Sequence, residues 1–424
     1  MQYCNRCVYP SNHPLGITFD DDGVCSGCRV HEEKYKIDWS KKRKELKKLL
    51  TPYKNNNNNY DCIIPVVGSG DDYFVTDLIK NEFGMNPLLV SYNSHFNTKI
   101  GIRNLSRLIT KLDCDHLLNT VGPDTVKIIS RITLEKIGSI YWHVLAGTQT
   151  FPVQVALKFN IPLIIWGVYG WLDQVGMFSH YDQVEMTKRV REEHSLKTFD
   201  TEMLVGENSK LSKKDLQAFT YPSIEEIKRN KIRGIYVGNY VFWDSQQQTE
   251  KMIKKYGYET AGQQRTFNKY ETIHCAVNSG VHDYVKYLKY GYGKCTDHAS
   301  RDIRLGRLSR KKAINLIKQY DSLKPDNTKI FLEWLGVSEN KFYRNINNFR
   351  DPKIWKSNKP NLWRIKDAIN NKNIDTKIKS VSIKNIKTKP YLKTKLLEPH
   401  NNKEKYVLTG RSYMDKFNFT AMGN

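Results

Sequence analysis

The sequence predicts an α/β protein with a parallel sheet, an N-terminal zinc-binding segment and C-terminal helices. Between residues 60 and 165, apolar strand-like runs alternate with helical patterns, which is typical of a parallel sheet with crossover helices. Two closely spaced cysteine pairs begin the chain, and amphipathic helical patterns follow residue 305. The length agrees, because 424 residues are enough for two or three domains.

The N-terminal cysteines form the pattern Cys-x2-Cys-x17-Cys-x2-Cys, made by Cys4, Cys7, Cys25 and Cys28. Two such pairs can place four thiolates around one Zn²⁺. We therefore predict a structural zinc ribbon over residues 1–35, with no open metal position for catalysis. The alternatives are two disulfides, which a cytoplasmic chain disfavours, a redox pair or an iron–sulfur site.

A charged helix is predicted from residue 32 to residue 50, and Asn55 to Asn59 form a low-complexity linker. Residues 36–59 thus connect the ribbon to the main domain, which we predict over 60–305. Ordinary amphipathic helices at 306–350 complete the predicted core, and residues 351–424 form a basic tail.

Residues 61–73 predict a buried strand, a turn of small residues and the start of a helix. The backbone of Gly68, Ser69 and Gly70 can present several N–H groups to one oxyanion, while Asp71 and Asp72 suit a helix N-terminus. This arrangement is typical of phosphate binding. Neither the Walker loop nor the dinucleotide fingerprint fits, and an ordinary strand-to-helix turn remains the alternative.

Two further predicted strands, at 87–93 and 161–167, end in candidate ligand-binding residues. These are Tyr92, Asn93, Trp166 and Gly167. Because parallel strands bind ligands at their carboxyl ends, these residues and the loop are predicted to share one edge of the sheet. A nucleotide and its co-substrate could meet there.

A polar insertion is predicted at about 168–245. It contains His180, Asp182, Glu185, Arg189, Arg191 and His194, without metal-ligand spacing. Each histidine is interpreted as a surface or hydrogen-bonded side chain, although insertions of this kind often cap an active site.

A later cluster combines glycine-rich turns with charged residues: Lys294, Asp297, His298, Arg301 and Arg304. Asp297 and Ser300 can cap a helix that carries Arg301 and Arg304 on one face, as a fork for polyphosphate or a carboxylate. A capped helix stabilised by salt bridges is the alternative.

The formal net charge of +24 is uneven along the chain. Residues 353–405 hold 15 Lys and Arg against four Asp and Glu, which gives +11. Such a tail can bind nucleic acid, an anionic membrane or an acidic partner, but we interpret it as a solvated segment without chemistry. The longest apolar run, about 161–172, is too short to span a bilayer, and no signal peptide begins the chain, so a cytoplasmic protein is expected.

With these motifs the chain resembles the N-acetyl sugar amidotransferases, a branch of the PP-loop ATP pyrophosphatases (adenine nucleotide alpha hydrolase-like) of bacterial surface-polysaccharide and nonulosonic acid pathways. The resemblance runs from about Cys4 to Arg350. It rests on the four-cysteine ribbon and on residues 65–71, 150–154, 161–167, 233–244 and 290–304.

The resemblance implies an ATP-dependent, AMP-forming ligase that converts a sugar acetamido group into an acetamidino group. Such sugars, including pseudaminic and legionaminic acids, enter lipopolysaccharide (LPS) O-antigen, capsule or flagellin glycans. The implied cofactors are ATP, Mg²⁺ and structural Zn²⁺. The substrate would be a nucleotide- or lipid-linked N-acetyl sugar. Because the chain shows no glutaminase elements, ammonia would come from a separate glutamine amidotransferase pair that resembles the one in histidine biosynthesis.

The resemblance also implies roles for particular residues. Asp71 would lie near Mg²⁺, and Tyr92 and Asn93 near the adenosine. Asp71, His298 and Arg301 would be the catalytic residues. Lys294 and Arg304 would face pyrophosphate or substrate together with His298 and Arg301, and Asp297 would orient them. The usual loop reads Ser-Gly-Gly-x-Asp-Ser, whereas this chain has Val67 and Asp72 in place of the first and last serines.

Two rival functions use the same fold. A PP-loop tRNA thiolase would suit the positive charge, but Cys62, Cys114, Cys275 and Cys295 are isolated in the sequence, and we expect no nucleic-acid partner. A non-catalytic subunit with a degenerate loop is the other rival.

Overall fold

The structure is a computed structural model that describes residues 1–14, 16–54, 59–205, 210–359 and 362–369. Most of the predicted asparagine linker and the greater part of the predicted basic tail, from residue 370 onward, lie outside the described residues. No helix in the described ranges is long and apolar enough to cross a membrane.

Five parallel strands form the central sheet in the order β3-β2-β1-β4-β5. They are β1 (Cys62–Pro65), β2 (Pro87–Tyr92), β3 (His116–Asn119), β4 (Leu163–Trp166) and β5 (Arg233–Tyr236). Strand β1 is central, since Cys62 pairs with Pro87 on one side and Ile63 pairs with Ile164 on the other. The predicted parallel α/β architecture is confirmed.

The described part of the chain contains fifteen α-helices. They are α1 (Ser26–Glu33), α2 (Trp39–Leu50), α3 (Gly70–Asp77), α4 (Lys99–Leu112), α5 (Pro123–Ile137), α6 (Trp142–Lys158), α7 (Gly170–Val175), α8 (Lys213–Leu216), α9 (Ile224–Arg229), α10 (Ser245–Tyr256), α11 (Asp283–Tyr290), α12 (Lys294–Arg304), α13 (Arg310–Tyr320), α14 (Thr328–Leu335) and α15 (Glu339–Asn347).

Helices cover both faces of the sheet, as strand β1 illustrates. Successive side chains of a strand point to opposite faces. Ile64 is buried in the layer that contains residues of α2, α3, α4 and α10, whereas Ile63 is buried against α6. A strand buried on both faces must be apolar throughout, which explains the uninterrupted run in β1.

The two ends of the chain pack against this core. Helix α1 lies against α7 in a cluster that includes the four N-terminal cysteines. Helices α11, α14 and α15 form a separate core with α5 and the start of α6. A short antiparallel hairpin, β6 (Trp355–Lys359) and β7 (Leu362–Ile365), occupies the first part of the predicted tail.

Three element boundaries differ from the sequence prediction. The charged helix is interrupted before α2, where the Asp38 carboxylate accepts the Lys41 N–H at 2.9 Å and caps a new helix. The sequence predicts a helix only from Phe151 to Phe159, whereas α6 begins at Trp142 and continues through Pro152. The predicted insertion contains β5, so only the residues between β4 and β5 leave the sheet. The division into domains otherwise stays a prediction.

Candidate active site

The loop between β1 and α3 needs its glycines for packing as well as for conformation. Gly68 has a φ of +81°, and a Cβ there would lie 2.8 Å from the backbone N of Leu105. A Cβ at Gly70 would collide with the side chain of Thr249 on α10. The loop is therefore held tightly between α4 and α10.

The N–H groups of the loop bind a side chain of the protein itself. Asp72 Oδ2 accepts the N–H of Val67 at 2.7 Å and that of Ser69 at 2.8 Å. In return, Ser69 Oγ accepts the Asp72 N–H at 3.2 Å, which completes a capping box. The sequence predicted that these N–H groups bind an external oxyanion. In the structure, two of them donate to Asp72 instead.

Asp71, the neighbouring residue, keeps one carboxylate oxygen available. Oδ2 accepts a hydrogen bond from Ser245 Oγ at 3.1 Å, while the buried Oδ1 has no partner among the described residues. Burial, with the negative charges of Glu271 and Asp72, raises the pKa of Asp71 to about 8. A bound cation would oppose this shift, so the free oxygen is suited to Mg²⁺.

Gln248 provides a second unsatisfied group next to the loop. Its side chain is 5% exposed, and neither amide atom has a hydrogen-bond partner among the described residues. It lies three residues after Ser245 on α10, hence on the helix face that reaches Asp71. Buried amides without partners are costly, so this position suits a polar ligand or water.

His298 and Arg301 reach the same region from α12. Arg301 pairs with both carboxylate oxygens of Glu271, one of them at 3.0 Å from Nη1. His298 Nε2 lies 3.9 Å from Glu271, and its Nδ1 lies 2.8 Å from Thr266 Oγ1. The charges of Glu271 and Arg301 both act on the pKa of Asp71. The structure therefore brings Asp71, His298 and Arg301 into one cluster.

The protonation states of this cluster follow from burial and pairing. Burial lowers the pKa of His298 to about 3, so the imidazole is neutral at physiological pH. Burial alone would raise the pKa of Glu271, but the charge of Arg301 and the hydrogen bonds from Arg301 and Asn268 oppose it, and the pKa is lowered. An ionised Glu271 and a charged Arg301 therefore lie beside a neutral histidine.

Lys294 and Asp297 make other contacts. Lys294 Nζ donates to Thr272 Oγ1 at 2.8 Å and to the Asn278 carbonyl at 3.1 Å, and burial lowers its pKa to about 8. Asp297 accepts the Tyr9 hydroxyl at 2.8 Å and pairs with Lys286. It does not cap α12, because that helix begins at Lys294 after Gly293.

The candidates at the ends of β2 and β4 are largely occupied by the protein itself. Tyr92 is buried, and its hydroxyl lies 3.1 Å from His143 Nδ1. Asn93 Oδ1 accepts from the His95 N–H and from Asn97. A Cβ at Gly167 would contact Trp243, while the buried Nε1 of Trp166 has no partner among the described residues.

The polar residues between β4 and β5 make mainly structural contacts. Arg191 is fully buried and pairs with Asp200. Glu185 pairs with Arg233 on β5, and the Tyr169 hydroxyl lies 2.5 Å from His194 Nδ1. Within the described residues, the four N-terminal cysteines are the only group with metal-ligand geometry.

The four cysteines converge in a buried cluster whose ligand atoms all lie within 4.8 Å of one another. The Cys4 and Cys28 sulfurs are 3.9 Å apart, and those of Cys7 and Cys25 are 3.6 Å apart. Tetrahedral thiolates around one zinc ion, with bonds of about 2.3 Å, would be about 3.8 Å apart. An iron–sulfur cluster would spread them over several iron atoms. The residues fit one Zn²⁺.

Arg304 complements this cluster electrostatically. Its Nε lies 3.4 Å from Cys28 Sγ and its Nη2 lies 3.5 Å from Cys25 Sγ, while Nη1 donates to the Asp173 and Gln174 carbonyls. Four thiolates around Zn²⁺ carry a net negative charge, which a buried guanidinium offsets. The predicted fork of Arg301 and Arg304 does not form, because Arg301 pairs with Glu271 instead.

Sequence reasoning missed Glu271, Ser245 and Gln248. Each comes from a segment far along the chain from the loop, and no local pattern distinguishes it from an ordinary polar residue. The role of Asp72 did have a signal, because Ser69 and Asp72 have the spacing of a capping box.

The fold and site define an α/β protein with a glycine-containing loop at the carboxyl edge of a parallel sheet and a four-cysteine cluster that could hold a metal ion. Residues 264–370 match a sequence model of the family described as LPS biosynthesis protein WbpG-like, C-terminal domain. Residues 264–370 are therefore similar to the C-terminal domain of WbpG-like LPS biosynthesis proteins, which confirms the resemblance to surface-polysaccharide proteins.

A relative and several solved structures are also similar. An uncharacterized protein of Methanocaldococcus jannaschii is 29% identical over 101 residues, which are 24% of this chain and 36% of that protein. The chain thus matches about a third of this relative's length.

Three similar structures are an NH3-dependent NAD synthetase from Campylobacter jejuni in complex with nitrate, an NMN synthetase from Francisella tularensis and the U34-tRNA thiolase NcsA from Methanococcus maripaludis with its [4Fe-4S] cluster. The NAD synthetase has a TM-score of 0.27 at 15% identity, covering 34% of this chain and 63% of its own. The NMN synthetase has a TM-score of 0.33 at 11% identity, and the match covers 72% of this chain and 96% of the synthetase. The thiolase has a TM-score of 0.28 at 12% identity, and the match covers 77% of this chain and 91% of the thiolase.

Proposed function

We propose that the protein is an ATP-dependent, AMP-forming amidotransferase that converts the acetamido group of an N-acetyl sugar into an acetamidino group for LPS or a related glycan. One observation carries the proposal. Arg301 belongs to the segment that matches LPS biosynthesis proteins, and it lies close enough to Asp71 on the loop for its charge to lower the pKa of that carboxyl. This proximity supports a single site built from the family segment and the loop.

The proposed reaction has two steps. The amide oxygen of the sugar attacks the α-phosphorus of ATP, the bond from that phosphorus to the bridging oxygen breaks, and pyrophosphate leaves. Ammonia then adds to the imidate carbon, and AMP leaves with the former amide oxygen. Adenylation is needed because an amide carbonyl is a poor electrophile without a leaving group.

The residues of the site suit these steps. Asp71, with its free oxygen, would hold Mg²⁺ against the phosphates, and Arg301 would offset charge that develops on pyrophosphate. Gln248 offers an unpaired amide to a polar group of ATP or sugar. Cys4, Cys7, Cys25 and Cys28 would hold Zn²⁺, which stabilises the ribbon.

Ammonia would reach this site from a separate glutamine amidotransferase pair. A thiolase is disfavoured, because Cys62, Cys114, Cys275 and Cys295 are all buried and offer no accessible sulfur nucleophile. A non-catalytic partner subunit is the second candidate, and the occupation of the loop by Asp72 favours it.

Purified protein with ATP, Mg²⁺, ammonium and a panel of nucleotide-linked N-acetyl sugars tests the proposal. We expect AMP, pyrophosphate and a sugar whose mass falls by the difference between oxygen and an NH group, read by mass spectrometry. No AMP with any sugar at saturating ammonium, either with the protein alone or with a copurified partner, would favour the non-catalytic subunit.

A further inference from the structure

The loop has the features of an anion-binding site, and the carboxylate of Asp72 occupies it. Two backbone N–H groups, from Val67 and Ser69, point at a single oxygen of Asp72. This oxygen lies at the positive N-terminal end of α3, where the helix dipole favours negative charge. The same features would hold a phosphate oxygen, so the carboxylate occupies the position of one.

An external phosphate cannot use these N–H groups while Asp72 holds them. Each N–H has one hydrogen to donate, and a carboxylate and a phosphate placed at the same turn repel each other. The negative charge of Asp72 also acts on the adjacent residue, because it helps to raise the pKa of Asp71. Pyrophosphate would therefore have to displace the Asp72 side chain.

The surroundings of the loop still indicate a ligand. Asp71 Oδ1 and both amide atoms of Gln248 are buried without partners in the described part of the chain, although Gln248 is 5% exposed. These groups are independent of the capping box and lie beside it. In the loop, by contrast, the N–H groups of Val67 and Ser69 are engaged by Asp72.

From these contacts we infer that Asp72 sets the anion affinity of the loop by competing with pyrophosphate for the N–H groups of Val67 and Ser69. The choice of pyrophosphate as competitor rests on the proposed function. Nucleotide binding then requires the Asp72 side chain to leave the loop, and a serine at this position would remove the competitor while keeping a hydroxyl. Asp72 is thus a specificity-determining residue.

The test compares the full-length wild-type protein with Asp72→Ser and Asp72→Asn, using inorganic pyrophosphate and ATP with Mg²⁺ in isothermal titration calorimetry. Asp72→Ser should bind pyrophosphate at least about tenfold more tightly, because a like charge and a competitor are both removed. Asp72→Asn should fall between the two, since its amide oxygen still accepts the N–H groups but carries no charge.

Asp77→Ser is the matched control, because Asp77 lies on the same helix but pairs with Lys255 and Tyr256 away from the loop. It should bind pyrophosphate as the wild type does. Equal affinities of wild type, Asp72→Ser and Asp72→Asn would overturn the inference. Zinc content and circular dichroism verify that each variant is folded.

A second measurement uses the wild-type protein alone, in case removal of the capping box unfolds the variants. Hydrogen exchange at Val67 and Ser69 should stay unchanged at the highest pyrophosphate concentration used in the calorimetry. Strong added protection of these two amides would show that pyrophosphate takes them readily, against the inference. Binding without sugar-dependent AMP formation would refute the proposed function only, so the two failures are distinguishable.

Discussion

The four-cysteine site and the loop after β1 are both built from short motifs, but they differ in what fills them. At the cysteine site, four side chains converge and Arg304 supplies a positive charge beside them, so a metal ion would complete the arrangement. At the loop, backbone N–H groups converge, and Asp72 from the same turn completes the arrangement. A motif indicates where a ligand can bind, but a neighbouring side chain can already occupy that binding site, as Asp72 does in the loop.

The largest expected effect is the loss of zinc from the four-cysteine cluster. Cys25→Ser should remove nearly all bound zinc and lower the thermal midpoint strongly, because structural zinc contributes about 10–16 kcal/mol of apparent binding free energy in zinc-finger peptides. Metal content by mass spectrometry and a melting curve measure the change. Cys114→Ser, at a buried cysteine outside the cluster, should keep its zinc. Full zinc occupancy in a well-folded Cys25→Ser protein would contradict the site.

The next largest effect concerns Asp71, whose Oδ1 has no hydrogen-bond partner in the described part of the chain. Asp71→Ala should reduce AMP formation by roughly 10²–10³-fold, since loss of one group that stabilises transition-state charge costs about this much. Zinc content should not change, because Asp71 lies at the sheet edge and not in the ribbon. Radiolabelled ATP turnover measures the loss, and wild-type rates in Asp71→Ala would exclude Asp71 from the reaction.

Arg304 sharpens the comparison at the cysteine site. Arg304→Met should weaken zinc affinity by about 10–100-fold, the usual cost of removing an outer partner of metal ligands. Arg304→Lys keeps a positive charge and should recover part of the affinity. Competition with a chromogenic chelator measures the zinc affinity of the wild type and of both variants. Equal zinc retention by all three would show that the charge of the guanidinium does not contribute to zinc binding.

The smallest effect is a shift in pH dependence. Because the pKa of Asp71 is raised to about 8, Mg²⁺ must displace a proton at neutral pH, so Mg²⁺ affinity should rise with pH and level off above about 8. Glu271→Gln removes a charge that raises this pKa and should move the midpoint to lower pH. Titrations of Mg²⁺ at several pH values test this. An unchanged midpoint of the pH dependence in Glu271→Gln would show that Glu271 does not influence the pKa of Asp71.

Local patterns predicted most of the fold. The apolar run of β1, the helix that starts after Ser69 and the cysteine pairs each follow from neighbouring residues, because secondary structure and tight turns are set within a few positions. Helix α6 was predicted too short, since Pro152 usually begins a helix and here lies within one. Strand β5 lies within the predicted insertion, although residues 234–244 by themselves indicate a strand or turn.

The candidate site was predictable only where its residues are close in sequence. Asp71 follows directly from the loop, but its partners Ser245 and Glu271 are separated from it by more than a hundred residues and carry no motif. Arg301 and Arg304 share a helix face by spacing, yet they diverge because their partners, Glu271 and the cysteine sulfurs, lie in different places. Such choices depend on tertiary packing.

Helix α12 has a consequence for how this chain can change over time. Its eleven residues carry Arg301 and His298 at the loop and Arg304 among the cysteines. A descendant that lost the ribbon would keep a buried guanidinium without its thiolates, and one that lost Arg304 would leave four thiolates without a counter-charge. The ribbon and this helix must therefore be inherited as a pair, and a graft of either one alone into a relative should fail.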